Sequence, residues 1–346
     1  MADHRVCVLA AFVLSTSVSC AQQPMSASPR FEWLPSVSAP AGYPMQVVRG
    51  TLTLADGQKV DIPSGAIVQN GWGGVGSVEI RGAPGPKAWP ARLEATWYSF
   101  TEDRFFSLAV AVPPAEVESV LAAAYPHPRT GERGSFSTVL VGVAPGGTAS
   151  LWLAGNGVVR RVARWRASEV PGRWADILDD DRTSRAEYVR AVLERRLGRE
   201  ALDRLARDGA PRDWWDHADD LVTLRLAVVG APTVRFAWLR GVNGEHEYLD
   251  SAAVAKATAT LRAAPARLDV GWLASDGQRR RAVIELDEQA SLAALDQVRQ
   301  DATAAVFQLV VDLQDTAQTG GAPIVSLRSP QLRIKLPVVS VRITAS

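Results

Sequence analysis

VLVGVAPGGTASLWL, residues 139–153, is the stretch on which the fold turns. Val139 to Val143 and Ala149 to Leu153 are short runs of strand-forming residues with Pro145-Gly146-Gly147 between them. Proline presets φ for a turn, and glycine supplies the positive φ that a tight reversal needs. The stretch therefore reads as an antiparallel hairpin. Glycine at such a point also lets a partner's backbone approach closely, so Gly146, Gly147 and the neighbouring Trp152 are candidate contact residues.

Outward from this hairpin the pattern stays strand-like. Val47 to Leu54 runs into Asp56-Gly57, a turn dipeptide, and then Val60 to Ile62. Ser77 to Arg81, Leu93-Ala95-Trp97, Phe105 to Val112 and Val158 to Trp165 continue the series. A helix is expected over Pro114 to Tyr125, with proline in its first turn.

Residues 171–218 change character. Ser184-Arg185-Ala186-Glu187 is a capping box, and Val189, Val192, Leu193, Leu197, Leu202 and Leu205 follow at helical spacing. Gly198 divides this stretch into two helices, and Gly209 ends it. Strands return at Val222 to Val228, Val234 to Trp238 and Leu268 to Trp272. Asp276-Gly277 then turns into Ala282 to Leu286. A helix over Glu288 to Ala302 precedes strands at Phe307 to Leu313, Leu332 to Leu336 and Val339 to Ile343. The expected class is α+β: mostly antiparallel β-sheet, sandwich-like, in two lobes with a helical segment between them. The divisions are 30–170, 171–220 and 221–346.

The first residues carry an address. Arg5 precedes an apolar run, Val6 to Leu14, and Ser15 to Cys20 is small and uncharged, the layout of a signal peptide over 1–19. Ser17-Val18-Ser19-Cys20 resembles a lipobox with serine where leucine is usual, which makes Cys20 the lipid attachment residue. A rival cut falls before Gln22 and releases a soluble protein. Cys7 lies within the signal, so a chain starting at Cys20 has a single thiol at its end, and acylation would account for it. Residues 20–29 read as a tether. No aspartate follows Cys20, so the expected location is the periplasmic face of the outer membrane, with the soluble periplasm as alternative.

Several features of residues 30–170 resemble a known family. They are Tyr43-Pro44 before a strand, Trp72-Gly73 in a glycine loop, Trp97-Tyr98-Ser99 followed by Glu102 and Phe106, and the hairpin quoted above. The chain resembles the uncharacterised bacterial lipoprotein family named domain of unknown function 2931. The resemblance implies an envelope lipoprotein and implies no activity.

Chemistry-bearing patterns are sparse. Gly71-Trp72-Gly73-Gly74-Val75-Gly76 matches GxGxxG in letters, but Ser77 to Arg81 continues as a strand where nucleotide binding needs a helix. No nucleotide is expected, and Trp72 and Gly73 join the candidate binding surface. The net charge is +1, which offers no field for nucleic acid. His127, His217 and His246 lack metal-ligand spacing, and no nucleophile elbow is present. Asp179-Asp180-Asp181 is better explained by the helix that follows than by calcium. Trp214-Trp215 reads as a packing pair, with a sugar platform as the alternative. No cofactor, metal or catalytic residue is expected. The reading is a non-enzymatic envelope lipoprotein that binds a protein partner, one form being immunity against a secreted antibacterial toxin. A glycan- or lipid-binding module is the alternative, and a hydrolase comes third.

Overall fold

The structure is a computed structural model that describes residues 30–75, 85–123, 125–179, 182–211, 215, 220–301, 304–314 and 321–345. The signal peptide, Cys20, the tether, Gly76, the strand expected at Ser77–Arg81, Asp180, Asp181, Trp214 and His217 lie outside the described residues.

The N-terminal half contains strands β1 (Leu34–Ser38), β2 (Met45–Leu54), β3 (Lys59–Asp61), β4 (Ile67–Val68), β5 (Pro90–Ser99) and β6 (Arg104–Ala111). Helix α1 (Pro114–Ala122) follows, then β7 (Thr138–Val143), β8 (Thr148–Gly155), β9 (Val158–Arg166) and β10 (Ser168–Val170). Helices α2 (Arg185–Arg196) and α3 (Arg199–Asp208) lead into the C-terminal half. That half begins with β11 (Val222–Val229), β12 (Thr233–Gly241), β13 (His246–Asp250), α4 (Ser251–Lys256), β14 (Thr260–Arg262), β15 (Pro265–Leu273) and β16 (Arg279–Leu286). It ends with α5 (Glu288–Gln300), β17 (Phe307–Asp312), β18 (Ile324–Arg328), β19 (Arg333–Leu336) and β20 (Val338–Ala345).

The α+β, β-rich class expected from sequence is what the chain adopts. One nine-stranded sheet, β1-β7-β8-β9-β13-β12-β15-β16-β20, runs through both halves. A second sheet, β10-β6-β5-β2-β3 with β4 beside β2, covers its N-terminal part, and a third, β14-β11-β17-β18-β19, belongs to the C-terminal half. Each half keeps its own apolar core. Val141, Leu151 and Leu153 meet Val47, Leu93 and Trp97 in the first. Leu268, Val270 and Trp272 meet Leu224, Leu309 and Leu327 in the second, together with Leu292 and Leu295 of α5. The halves join edge to edge where β13 meets β9, at the antiparallel pair His246–Val159.

Local signals explain most elements. Ser184 caps α2: its hydroxyl accepts from Glu187 N, and the Glu187 carboxylate accepts from Ser184 N at 3.1 Å. The Ser184 hydroxyl donating to the Glu187 carboxylate at 2.7 Å, with the Ser184 N–H second, holds that carboxyl below the usual carboxylate range. Gly198 separates the two helices and Gly209, at φ 72°, ends the second. Helix α2 packs Val189 and Val192 against Tyr98, Phe100 and Phe105 on the N-terminal half. Arg185 ties it down by bonding Asp103 at 2.7 Å and lying over the Tyr98 and Trp174 rings. Burial, reinforced by Asp103, raises the pKa of the Tyr98 hydroxyl.

Among the described strands two pairings are parallel, β1 with β7 and β11 with β17. Neither is visible as a hairpin in the sequence, because parallel neighbours are joined by long crossovers. Helix α4 is six residues long, too short to show a period, and is capped by Asp250 accepting from Ala253 N at 2.8 Å.

Candidate functional site

The hairpin at 139–153 is covered on both faces. Val139, Val141, Leu151 and Leu153 face the six-stranded sheet, while Leu140, Trp152 and Ala154 join a separate cluster with Trp72, Val159 and Trp215. Trp152 is 0% exposed and Trp72 is 6% exposed. Their rings meet edge to face at 4.8 Å, and Trp72 lies 5.4 Å from Trp215. Both indoles are packed side chains, which corrects the expectation for Trp152, while Trp72 also lines a cleft. The alternation of a two-sided buried strand points Trp152 away from one core and into another.

The glycines follow the same logic. Gly142 sits under the indoles, since a Cβ there would stand 2.3 Å from the Trp152 ring and 2.9 Å from Trp72. Gly73, at φ 71°, is pressed against the C-terminal half, where a Cβ would come within 2.0 Å of the Gly244 carbonyl oxygen. Asn70 braces this loop by accepting from Ala39 N at 3.2 Å and donating to Gly74 O at 2.6 Å. Gly146 donates its N–H to both Glu102 carboxylate oxygens at 3.1 Å, and Gly147 is buried beside Ala167 and Phe106. Gly73 and Gly147 are thus buried in close packing inside this chain, which corrects them as candidate contact residues along with Trp152, while Gly146 is half-buried with its N–H held by Glu102.

What these residues build is the wall of a cleft. A cavity of about 460 Å³ opens where three parts of the chain converge. The N-terminal half supplies Tyr43 and Trp72, with Trp215 beside them and 6.0 Å from Tyr43. Helix α3 supplies Arg204 and Asp208, and the C-terminal half supplies Arg240 and Glu288. Arg240 reaches Glu288 at 3.3 Å and Glu285 at 3.7 Å. Burial raises the Glu288 pKa, Arg240 opposes the rise, and Glu285 and Asp287 add to it. Burial also raises the Tyr43 hydroxyl. Sequence reading missed Arg204, Asp208, Arg240 and Glu288 because no spacing links them. Glu288 showed only as the first residue of a helix.

Neither described histidine, His127 nor His246, lines the cleft. His127 Nδ1 accepts from Arg129 N and Thr130 N at 3.2 and 3.3 Å, which fixes its own loop. His246 is cross-strand from Arg240, and its Nε2 is buried. Burial, then Arg240 and Arg267, push its pKa down to about 4. Among the described residues no cluster of three or more His, Cys, Asp or Glu is placed to hold a metal, and no helix is long and apolar enough to cross a membrane.

Residues 18–211 match the family described as protein of unknown function (DUF2931). The chain belongs to this family. The matched region takes in the N-terminal core, the glycine loop at Trp72 and helices α2 and α3, so the family portion extends beyond residue 170 and contributes Tyr43, Trp72, Arg204 and Asp208 to the cleft. Arg240 and Glu288 come from beyond it. No match is found among curated proteins or among solved structures.

Proposed function

We propose that this DUF2931 protein is an exported envelope lipoprotein, anchored through Cys20, that binds a hydroxyl-rich ring compound such as an envelope glycan fragment in the cleft between its halves. The anchor reading rests on the order of charge, apolar run and small residues before Cys20. The ligand reading rests on the composition of the cleft. Its volume of about 460 Å³ suits a small ligand. Tyr43, Trp72 and Trp215 give it aromatic carbon, which favours the C–H face of a sugar ring. Arg204, Arg240, Asp208 and Glu288 give it donors and acceptors of both charge signs, which favours hydroxyl groups over a polyanion.

This reading replaces a broad protein-docking surface as the first choice, because Gly73, Gly147 and Trp152, which suggested such a surface, are buried. Binding is preferred over catalysis because, among the described residues, the lining offers no serine, cysteine or histidine as nucleophile or base. A glycoside-cleaving reading has one observation in its favour, the raised pKa of half-buried Glu288, which lines the same cleft as Asp208.

Tryptophan fluorescence of the purified full chain, titrated with peptidoglycan fragments and lipopolysaccharide core oligosaccharides, tests the proposal. A saturable shift that Arg240→Ala or Glu288→Gln abolishes is the expected result. No shift across the panel would overturn glycan binding and return weight to a protein partner. Chromatography of the same mixtures separates binding from cleavage.

A further inference from the structure

A second cavity, of about 230 Å³, is walled by residues of the nine-stranded sheet and of the third sheet. Among the described residues it shares only Arg240 and Gly241 with the cleft. Leu224, Leu239 and Leu309, all buried, give it an apolar floor. The polar groups around that floor are unevenly satisfied. Arg262 forks onto Glu247, with Nε at 2.7 Å from one carboxylate oxygen and Nη2 at 3.1 Å from the other. Glu245 accepts from Arg161 N at 3.0 Å and from Asn243 Nδ2 at 2.7 Å. Each carboxylate oxygen in the wall therefore already holds a donor. The Arg240 guanidinium is paired with Glu285 and Glu288. Arg160 is the exception. It reaches the wall from β9 of the N-terminal half, makes one hydrogen bond, to the His246 carbonyl at 3.4 Å, and has no ion pair with a described residue. A guanidinium stays charged and carries five N–H donors, so most of the bonding capacity of Arg160 is unused. Thr260 lines the same cavity, and among the described residues nothing bonds its buried hydroxyl.

We infer that this second cavity is a binding site for a small aliphatic carboxylate, distinct from the cleft and its ligand. The acids of the wall are engaged by protein donors, so the charge left to neutralise is the positive one on Arg160. A carboxylate matches a guanidinium through two parallel N–H bonds. The leucine floor then takes the hydrocarbon tail. The same floor disfavours inorganic phosphate, which would lose hydration on every side without a partner there. Size narrows the class further. A volume of about 230 Å³ lies below the roughly 300 Å³ at which pockets for drug-sized ligands begin, so the acid has a short chain. The buried Arg262–Glu247 pair adds little stability of its own, and its fork geometry holds the wall in one shape beside the ligand.

Saturation-transfer NMR of the purified full chain with butyrate tests this. Saturable binding with a Kd of about 1 mM or tighter is expected. Butyramide, which has the same shape without the charge, should bind at least about tenfold more weakly. Arg160→Gln should lose butyrate to the same extent, whereas Arg190→Gln, at an exposed position on α2, should bind it like the wild type. The comparison of butyrate with butyramide is made on the wild type, so it decides the matter even where Arg160→Gln fails to fold. Absence of a saturable butyrate signal overturns the inference. So does equal binding of butyrate and butyramide, a folded Arg160→Gln chain that binds butyrate like the wild type, or an equal loss in Arg190→Gln.

Discussion

Gly73 and Gly244 touch backbone to backbone across the two halves of the chain: a Cβ on Gly73 would stand 2.0 Å from the Gly244 carbonyl oxygen. The family portion and the C-terminal strands are therefore latched at a point where neither tolerates a side chain. Gly73→Ala must relieve this overlap and also hold alanine at φ 71°. The expected loss is about 2–4 kcal/mol, measured by urea unfolding. Gly198→Ala is the control, because nothing lies within 4 Å of its added Cβ and its φ is −70°. It should shift stability by less than about 1 kcal/mol. Equal effects of the two substitutions would show that the latch contributes nothing.

Trp152 is fully buried beneath Gly142 and Trp72. Trp152→Ala should cost about 3–5 kcal/mol, the usual range for emptying an aromatic site. Calorimetry would register this as a lower melting temperature. A variant that melts like the wild type would return Trp152 to the surface role first expected of it.

His246 joins β13 to β9, and its pKa of about 4 in the folded state lies below the ordinary value of 6.5. As pH falls through 6.5 the unfolded chain takes up a proton that the folded chain refuses until about pH 4. Stability is therefore present in full above pH 6.5 and is lost progressively down to about 4, by roughly 3 kcal/mol. Glu288, with its raised pKa, acts in the opposite sense, since its charged form is disfavoured in the folded state. The informative quantity is thus the difference between wild type and His246→Gln. That difference should change between pH 7 and pH 4, and a constant difference would show that His246 titrates normally.

Acylation at Cys20 predicts a clean fractionation result. Wild type should sediment with membranes and incorporate labelled palmitate, and Cys20→Ala should do neither. Wild type found in the soluble periplasmic fraction, unlabelled, would establish the rival cut before Gln22.

Local units follow from short stretches of residues alone. The capping box at Ser184, the break at Gly198, the stop at Gly209 and the hairpin turn at Asp276-Gly277 each depend on a few adjacent residues, and each forms as read. The alternation of apolar residues likewise placed most strands, and the hairpin at 139–153 with the residues around Trp97 pointed to the family. Tertiary structure decided everything that depends on distance along the chain. Periodicity places a strand without naming its neighbour, so the parallel pairings and the single sheet joining the two halves were not legible. Burial was misjudged at Trp72 and Trp152 for the same reason. A strand buried on both faces carries apolar residues at every position, so the pattern cannot say which face meets which core. The cleft is the extreme case. Tyr43, Arg204, Arg240 and Glu288 meet only because α3 and the edge-to-edge join of β13 with β9 bring three distant segments together, and no local signal in a sequence records that approach.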